Sequence, residues 1–389
     1  MKKMMNDNKY KIGVYGVAVL IMVIVGFMNL GSEYYDRALA KRGETVDARV
    51  IKMYLDDRDD KESTRSYRTQ EFEVEITSAG HKGETYVMRN TIEVMDVYNI
   101  EVEVGENIVL TLMEDENKKV ENLHIYDKSR EIYIYLFVCF FFVILLVIGG
   151  KSGVKSIFTL IFTGFMIVKL LIPLILKGYN PILITVLVCS VIIAITLLII
   201  GDMSKKTLSA IIGTLGGVIV AGVLAMIVGN LCKITGLADE DIQSLVYMTK
   251  NYNMNFKGIL FSAIIIGALG AVMDVSISIA SSMFEIKSIK PDIKKGSLFK
   301  SGMNIGKDIM GSMANTLILA YTGGAMQLML FFLASGATTK EIVNLEMAAV
   351  EIIRALSGSV GLAATIPITA ISVILIDDFL KDKKNNKKK

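Results

Sequence analysis

The chain is built from eight long apolar runs and one polar block. The runs fall at roughly 12–30, 132–150, 156–176, 181–200, 207–231, 257–283, 304–333 and 357–376. Each is long enough to cross a bilayer, since about 20 residues rising about 1.5 Å apiece span a hydrocarbon core of about 30 Å. The polar block, 31–130, changes period. "ETVDARVIKMY" (44–54), "EFEVEIT" (71–77), "GETYVMRNTI" (83–92), "ENIVLTLME" (106–114) and "KVENLHIYD" (119–127) carry β-type alternation. Five short strands separated by Gly-containing turns predict a small barrel of OB or SH3 type. The predicted fold is an α-helical polytopic membrane bundle of about eight transmembrane helices. Its small extracytoplasmic β-barrel-like domain lies between helices one and two. The expected division is a cytoplasmic N-terminus and signal-anchor helix (1–30), the β domain (31–130), a seven-helix membrane domain (131–376) and a basic cytoplasmic tail (377–389).

Composition and charge sharpen this picture. Hydrophobic residues make up 52% of the chain and charged residues only 21%, and mean hydropathy is +0.51, which excludes an ordinary soluble protein. Basic residues sit beside alternate ends of the runs: Lys2, Lys3, Lys9 and Lys11, then Lys151 and Lys155, Lys205 and Lys206, Lys287 to Lys300, and finally "KDKKNNKKK". The opposite loops, "GLADEDIQ" (236–243) and "KEIVNLEMAAVE" (340–351), are acidic or nearly neutral. This asymmetry predicts that both termini are cytoplasmic. "ALA" (38–40) resembles a signal-peptidase site but lies far beyond the apolar end at Leu30, so run one reads as a retained anchor. Segments 239–253 and 340–356 read as amphipathic helices on the outer surface.

The chemistry inventory is narrow. Cys139, Cys189 and Cys232 have no close partner, and His81 and His124 both lie in the polar block, so no metal, cofactor or intramembrane His triad is expected. "GMNIGKD" lacks the Walker A spacing, and G-x-S-x-G and H-E-x-x-H do not occur. No enzyme activity is expected, although Asp274 and Asp308 would form an aspartyl dyad if they touched. No surface of interleaved Arg and aromatic residues points to nucleic acid.

The informative residues are polar ones inside the apolar runs. In "GALGAVMDVSISIASSMFEI" (267–286), Gly267, Ala271, Asp274, Ser278, Ser281 and Glu285 share one helical face. In "SGMNIGKDIMGSMANTLILAYTGG" (301–324), Asn304, Asp308, Gly311, Asn315 and Thr322 do the same. Each carboxylate lies about 12–16 Å in from the cytoplasmic end of its helix, and consecutive helices joined by a short loop pack side by side. An Asp at a helix centre costs about 3 kcal/mol even on the lenient insertion scale. Two uses compete: a hydrogen-bonded packing seam, or a hydrated pocket for a small polar solute, cation or proton. Gly213, Gly217, Gly267 and Gly270 suit close helix approach, and Pro173 and Pro367 are expected to kink their helices. The partners expected are the lipid bilayer and a small polar solute, cation or proton. In a second reading the β domain binds an envelope protein.

These two stretches, with "GYNPILITVLVCSVIIAITLLIIGDMSKKTLSAIIGTLGG" (178–217), resemble the YibE/F family of bacterial multi-pass membrane proteins. The resemblance covers about 150–376 and extends more weakly into the β domain. It implies an N-terminal anchor, an outer β module and a helical bundle in the bacterial plasma membrane. It implies no reaction. The family pattern "NIGRD" stands here as "NIGKD", with Lys307 keeping the charge and losing the bidentate fork.

Overall fold

The computed structural model describes residues 2–28, 30, 43–57, 67–93, 99–114, 119–238, 240–248 and 254–386. The tripeptide 38–40 and most of the polar loop 56–66 lie outside them. The chain forms two compact units, Met1–Gly31 with Gly149–Lys389, and Ser32–Ile148. The first eighteen residues after Arg130 thus belong to the β unit, where the sequence pattern assigns 131 onward to the membrane domain.

The β unit contains β1 (Glu44–Asp56), β2 (Tyr67–Ile76), β3 (Thr85–Glu93), β4 (Asn107–Glu114) and β5 (Val120–Lys128), within a few residues of the five predicted strands. All neighbours are antiparallel, in the order β3-β2-β1-β4-β5. The β3-to-β4 connection passes two strands, so the sheet is a nearly closed, barrel-like Greek key. Two register shifts in β1, at Val50/Lys52 and Met53/Leu55, bend that long strand. Alternation delivers Val46, Ala48 and Val50 of β1, Phe72, Val74 and Ile76 of β2, and Ile108, Leu110 and Leu112 of β4 to one core. Gln70 is fully buried there and satisfied: its amide donates to Val102 O (3.1 Å) and accepts from Val102 N (3.1 Å).

The helical elements are α1 (Lys2–Phe27), α2 (Glu131–Met166), a π turn (Ile167–Leu171), α3 (Ile172–Leu176), α4 (Pro181–Gly201), α5 (Lys205–Leu231), α6 (Glu240–Met248), α7 (Phe256–Ile289), α8 (Lys295–Gly324), α9 (Met326–Ala334), α10 (Thr339–Asn344) and α11 (Glu346–Asn386). Five described stretches are long and apolar enough to span a membrane, α8 with α9 makes a sixth, and Gly13–Phe27 is a shorter apolar helix. All eight predicted runs are helical. Runs two and three are joined in α2, where Gly150 breaks the helix at φ 50°, ψ −125°. The predicted surface helix 340–356 divides at Leu345, and its second part forms the first turns of α11.

The core of the bundle is the crossing of α5, α7 and α11, with α4 against α5 and α7, and α8 against α7 and α11. A Cβ on Gly213 would strike the Thr369 and Ser276 hydroxyls, and one on Gly217 would strike the Thr365 hydroxyl and lie 2.9 Å from Gly361 O. At both glycines α5 lies too close to its neighbours to admit a Cβ without a shift. Ser276 Oγ donates to Ala210 O (2.7 Å) and lies 2.9 Å from Thr369 Oγ1. Other hydroxyls bond back into their own helices, as Thr214 does to Ala210 O and Thr365 to Gly361 O. One expectation needs correction. Gly270 has nothing within 4 Å of an added Cβ, because its face of α7 meets no neighbour, so it packs nothing. Pro367 lies inside α11, and the helix continues through it. Pro173 follows the π turn and sits in the first turn of α3, where its missing N–H is tolerated.

Candidate functional site

The helical period decides the fate of the polar stripes. On α7, Val272, Val275, Ser276 and Ile279 are buried, whereas Asp274 and Ser278 are exposed and Ser281 is half-buried. On α8, Gly302, Gly306 and Leu317 are buried, and Asn304, Asp308 and Asn315 are exposed. Gly302 lies against Met283, and Gly267 against Tyr321. In that antiparallel register Asp308 is level with about Ser278, and Asp274 with about Ser312, an offset of about 6 Å along the axis. The fold thus brings both carboxylates onto one helix pair at similar depth. It does not enclose them between the two helices, as the matched stripes led us to expect. The contact residues Gly302, Gly306 and Leu317 turn the α8 stripe outward, and the tight α5–α7–α11 crossing claims the other side of α7. Neither carboxylate has a hydrogen bond or ion pair among the described residues.

A partly open cavity lies at one end of the same helix pair. A cavity of about 600 Å³ opens where α6, the start of α7, the α8–α9 junction and the start of α11 converge. The α8–α9 span is bent by 58° at Ala325, directly after Gly323 and Gly324, which weaken the helix. Such breaks at membrane depth are tolerated where they line a cavity. The carboxylate of Glu346, in the first turn of α11, accepts from the Thr235 N–H (2.7 Å) and the Gly236 N–H (2.8 Å). This clamp holds the loop that walls the cavity. Gly236 needs its φ of 79° there, and a Cβ would meet Phe256 and Lys257 backbone at 2.9 Å. Asn255 caps α7 by accepting from Gly258 N–H (2.8 Å).

Four polar side chains line the cavity: Tyr321, Gln327, Glu351 and Arg354. Arg354 Nη1 forms an ion pair with Glu351 Oε1 at 3.0 Å, one helical turn away, and both side chains are partly buried. Arg354 Nε and the Tyr321 hydroxyl are shielded from solvent and have no partner among the described residues. Sequence reasoning missed all four, because 340–356 reads as a surface helix and Tyr321 and Gln327 as two more residues of an apolar run. A signal was present: Arg354 is the only arginine after Arg130, in a region that otherwise uses lysine. Tyr321 also touches Gly267, so the cavity adjoins the upper end of the stripe that continues through Asp274 and Ser278.

At the other end of the bundle, buried Asp377 of α11 pairs with Lys205 of α5 (3.1 Å) and Lys287 of α7 (3.3 Å). This ties the three core helices together at the end opposite the cavity.

No curated protein and no solved structure matches the chain. Two family descriptions match it in sequence order: the YibE/F family N-terminal domain over residues 44–128, which is the β barrel, and the YibE/F-like protein over residues 137–377, which is the helical bundle with its cavity. The two matches together cover most of the chain, and this chain belongs to the YibE/F family.

Proposed function

We propose that this membrane protein is permease-like and carries a small polar solute along the α7–α8 helix pair. The observation that carries the reading is the 58° break at Ala325 beside a cavity holding a charged pair. Broken helices around a polar site recur in secondary transporters. From that cavity a line of polar groups runs down the same pair: Tyr321, Asn315, Asp274, Ser278, Asp308 and Asn304. Exposed carboxylates at this depth are costly against lipid and suit a hydrated path for a solute, cation or proton. The basic flanks put both termini in the cytoplasm, the cavity on the outer side and the β unit outside the membrane. The chain carries no ATP-binding motif, so movement is driven by a gradient. We read it as a carrier and not an enzyme.

The test is solute uptake by proteoliposomes containing the full chain. Asp274→Asn and Asp308→Asn each reduce flux about tenfold or more, as expected for ionisable groups on a membrane pathway. Unchanged flux in both variants overturns the reading. A second reading rests on the β unit, where β3 and β5 end the sheet and present edges to which an envelope protein can add a strand. Under that reading, removing 44–128 abolishes function and both Asp→Asn variants retain it.

A further inference from the structure

We infer that the cavity beside the α8–α9 break is a site for a small zwitterion of the α-amino-acid class with an apolar side chain. The solute's carboxylate lies on Arg354 and its ammonium on Glu351. This rests on the carrier reading for its purpose, but the site stands or falls on binding alone.

The argument begins with the unused bonding capacity of one guanidinium. Arg354 commits Nη1 to Glu351 Oε1 (3.0 Å). Its Nε is shielded without a partner, and nothing among the described residues accepts from Nη2. The free Nε–Nη2 edge is two parallel N–H donors, the geometry that a carboxylate fills bidentately. A shielded donor without an acceptor is costly, and a ligand carboxylate removes that cost. Tyr321 adds a second shielded donor, its hydroxyl, on the cavity wall, able to donate to the same carboxylate. On the other side of the pair, Glu351 Oε2 accepts no hydrogen bond among the described residues and is open to an ammonium.

Charge then selects among ligands. The Glu351–Arg354 pair sums to zero, so a zwitterion leaves the cavity neutral with both charges met. A monoanion meets Arg354 and opposes Glu351, and an amine does the reverse. A polyanion such as phosphate is opposed by the carboxylate 3.0 Å from the guanidinium. Apart from Gln327, the remaining side chains of the wall are apolar, including Phe256, Leu260, Leu328 and Val350. A cavity of about 600 Å³ leaves room for a hydrocarbon side chain beyond the charged head.

The experiment is titration calorimetry on the purified full-length protein in detergent, with leucine as the probe. The comparison ligands are 4-methylpentanoate, which lacks the ammonium, and 3-methylbutylamine, which lacks the carboxylate. Leucine is expected to bind at least about tenfold more tightly than either, since a site built for a polar group rejects the analogue lacking it. Arg354→Lys keeps the charge and loses the fork, and should weaken leucine about tenfold or more. Glu351→Gln should abolish the preference for leucine over 4-methylpentanoate. Tyr321→Phe, a milder change, should weaken leucine several-fold with an unchanged melting temperature. That variant keeps the test valid if an Arg354 variant misfolds. The site is overturned if leucine gives no saturable binding, if it binds no better than its single-charge analogues, or if binding is equal in Tyr321→Phe and Arg354→Lys proteins that melt like the wild type. Leucine binding without uptake keeps the site and removes the carrier reading. Uptake of other solutes without leucine binding does the opposite.

Discussion

The two sides of α7 use similar residues to opposite ends. Ser276 faces α5 and α11, where its hydroxyl bridges Ala210 O and Thr369 in a dry crossing lined by Gly213 and Gly217. Asp274 and Ser278, two residues away on either side, face outward beside the exposed Asn304, Asp308 and Asn315 of α8. On the packed side every small or polar residue has a partner, and its role is cohesion. On the open side a Cβ at Gly270 would meet nothing within 4 Å and the carboxylates pair with nothing among the described residues, which is a poor way to hold helices together. Polar residues in an apolar run therefore do not announce their purpose by type. Their purpose follows from whether neighbouring helices use up their hydrogen bonds.

The sharpest way to break this contrast is a pair of glycine substitutions. In Gly217→Ala the new methyl falls on the Thr365 hydroxyl and near Gly361 O, and overpacking of this kind costs about 1–3 kcal/mol. Gly270→Ala enters open space and should raise stability by up to about 1 kcal/mol through helix propensity alone. Thermal unfolding in detergent should move in opposite directions for the two, and equal shifts would erase the distinction between the sides.

A comparable test pits two aspartates against each other. Asp377→Asn removes the charge shared by Lys205 and Lys287, and should cost about 1.5–3 kcal/mol, as for hydrogen bonds to charged groups. Asp308→Asn should leave the melting temperature unchanged while lowering flux. A smaller effect separates the serines. Ser276→Ala should cost about 1 kcal/mol, and Ser278→Ala nothing measurable.

The smallest effect is expected in the β unit, where polar contacts are wet. His81 lies 2.9 Å from Glu114 and 3.1 Å from Glu84, and these carboxylates, Glu114 first, raise its pKa above the ordinary 6.5. The stabilisation is complete below pH 6.5 and disappears as pH rises through the elevated folded value. Hydrogen exchange at β4 in the full chain should quicken over that window, and His81→Gln should flatten the change. Exposed pairs contribute little, so a large effect here would mean that the barrel relies on charge more than its core suggests.

The strands and spans were readable from periodicity because each depends on a local rule. Alternation at Val46, Ala48 and Val50 or at Phe72, Val74 and Ile76 fixes which face of a strand is buried, whatever the rest of the chain does. Sustained apolar length fixes a span. The GxxxG pair at Gly213 and Gly217 was legible for the same reason. The shared face of Asp274 and Ser278 was also correct as a face, but the pattern carried no information on what would lie opposite it. Tyr321 and Arg354 escaped notice because they are 33 positions apart and become a site only when α8 bends and α11 begins beside it.

Sequence by itself determined the five-stranded barrel, the apolar helices, the family and the side of each helix on which polar groups fall. These follow from backbone period and hydrophobicity, which act within a few residues. Tertiary structure alone decided that one side of α7 is a sealed crossing and the other is open. It also decided that a broken span gathers Tyr321, Glu351 and Arg354 around a cavity. Those outcomes depend on which helices meet and how closely, and close approach is a property of pairs of surfaces that no single stretch of chain contains.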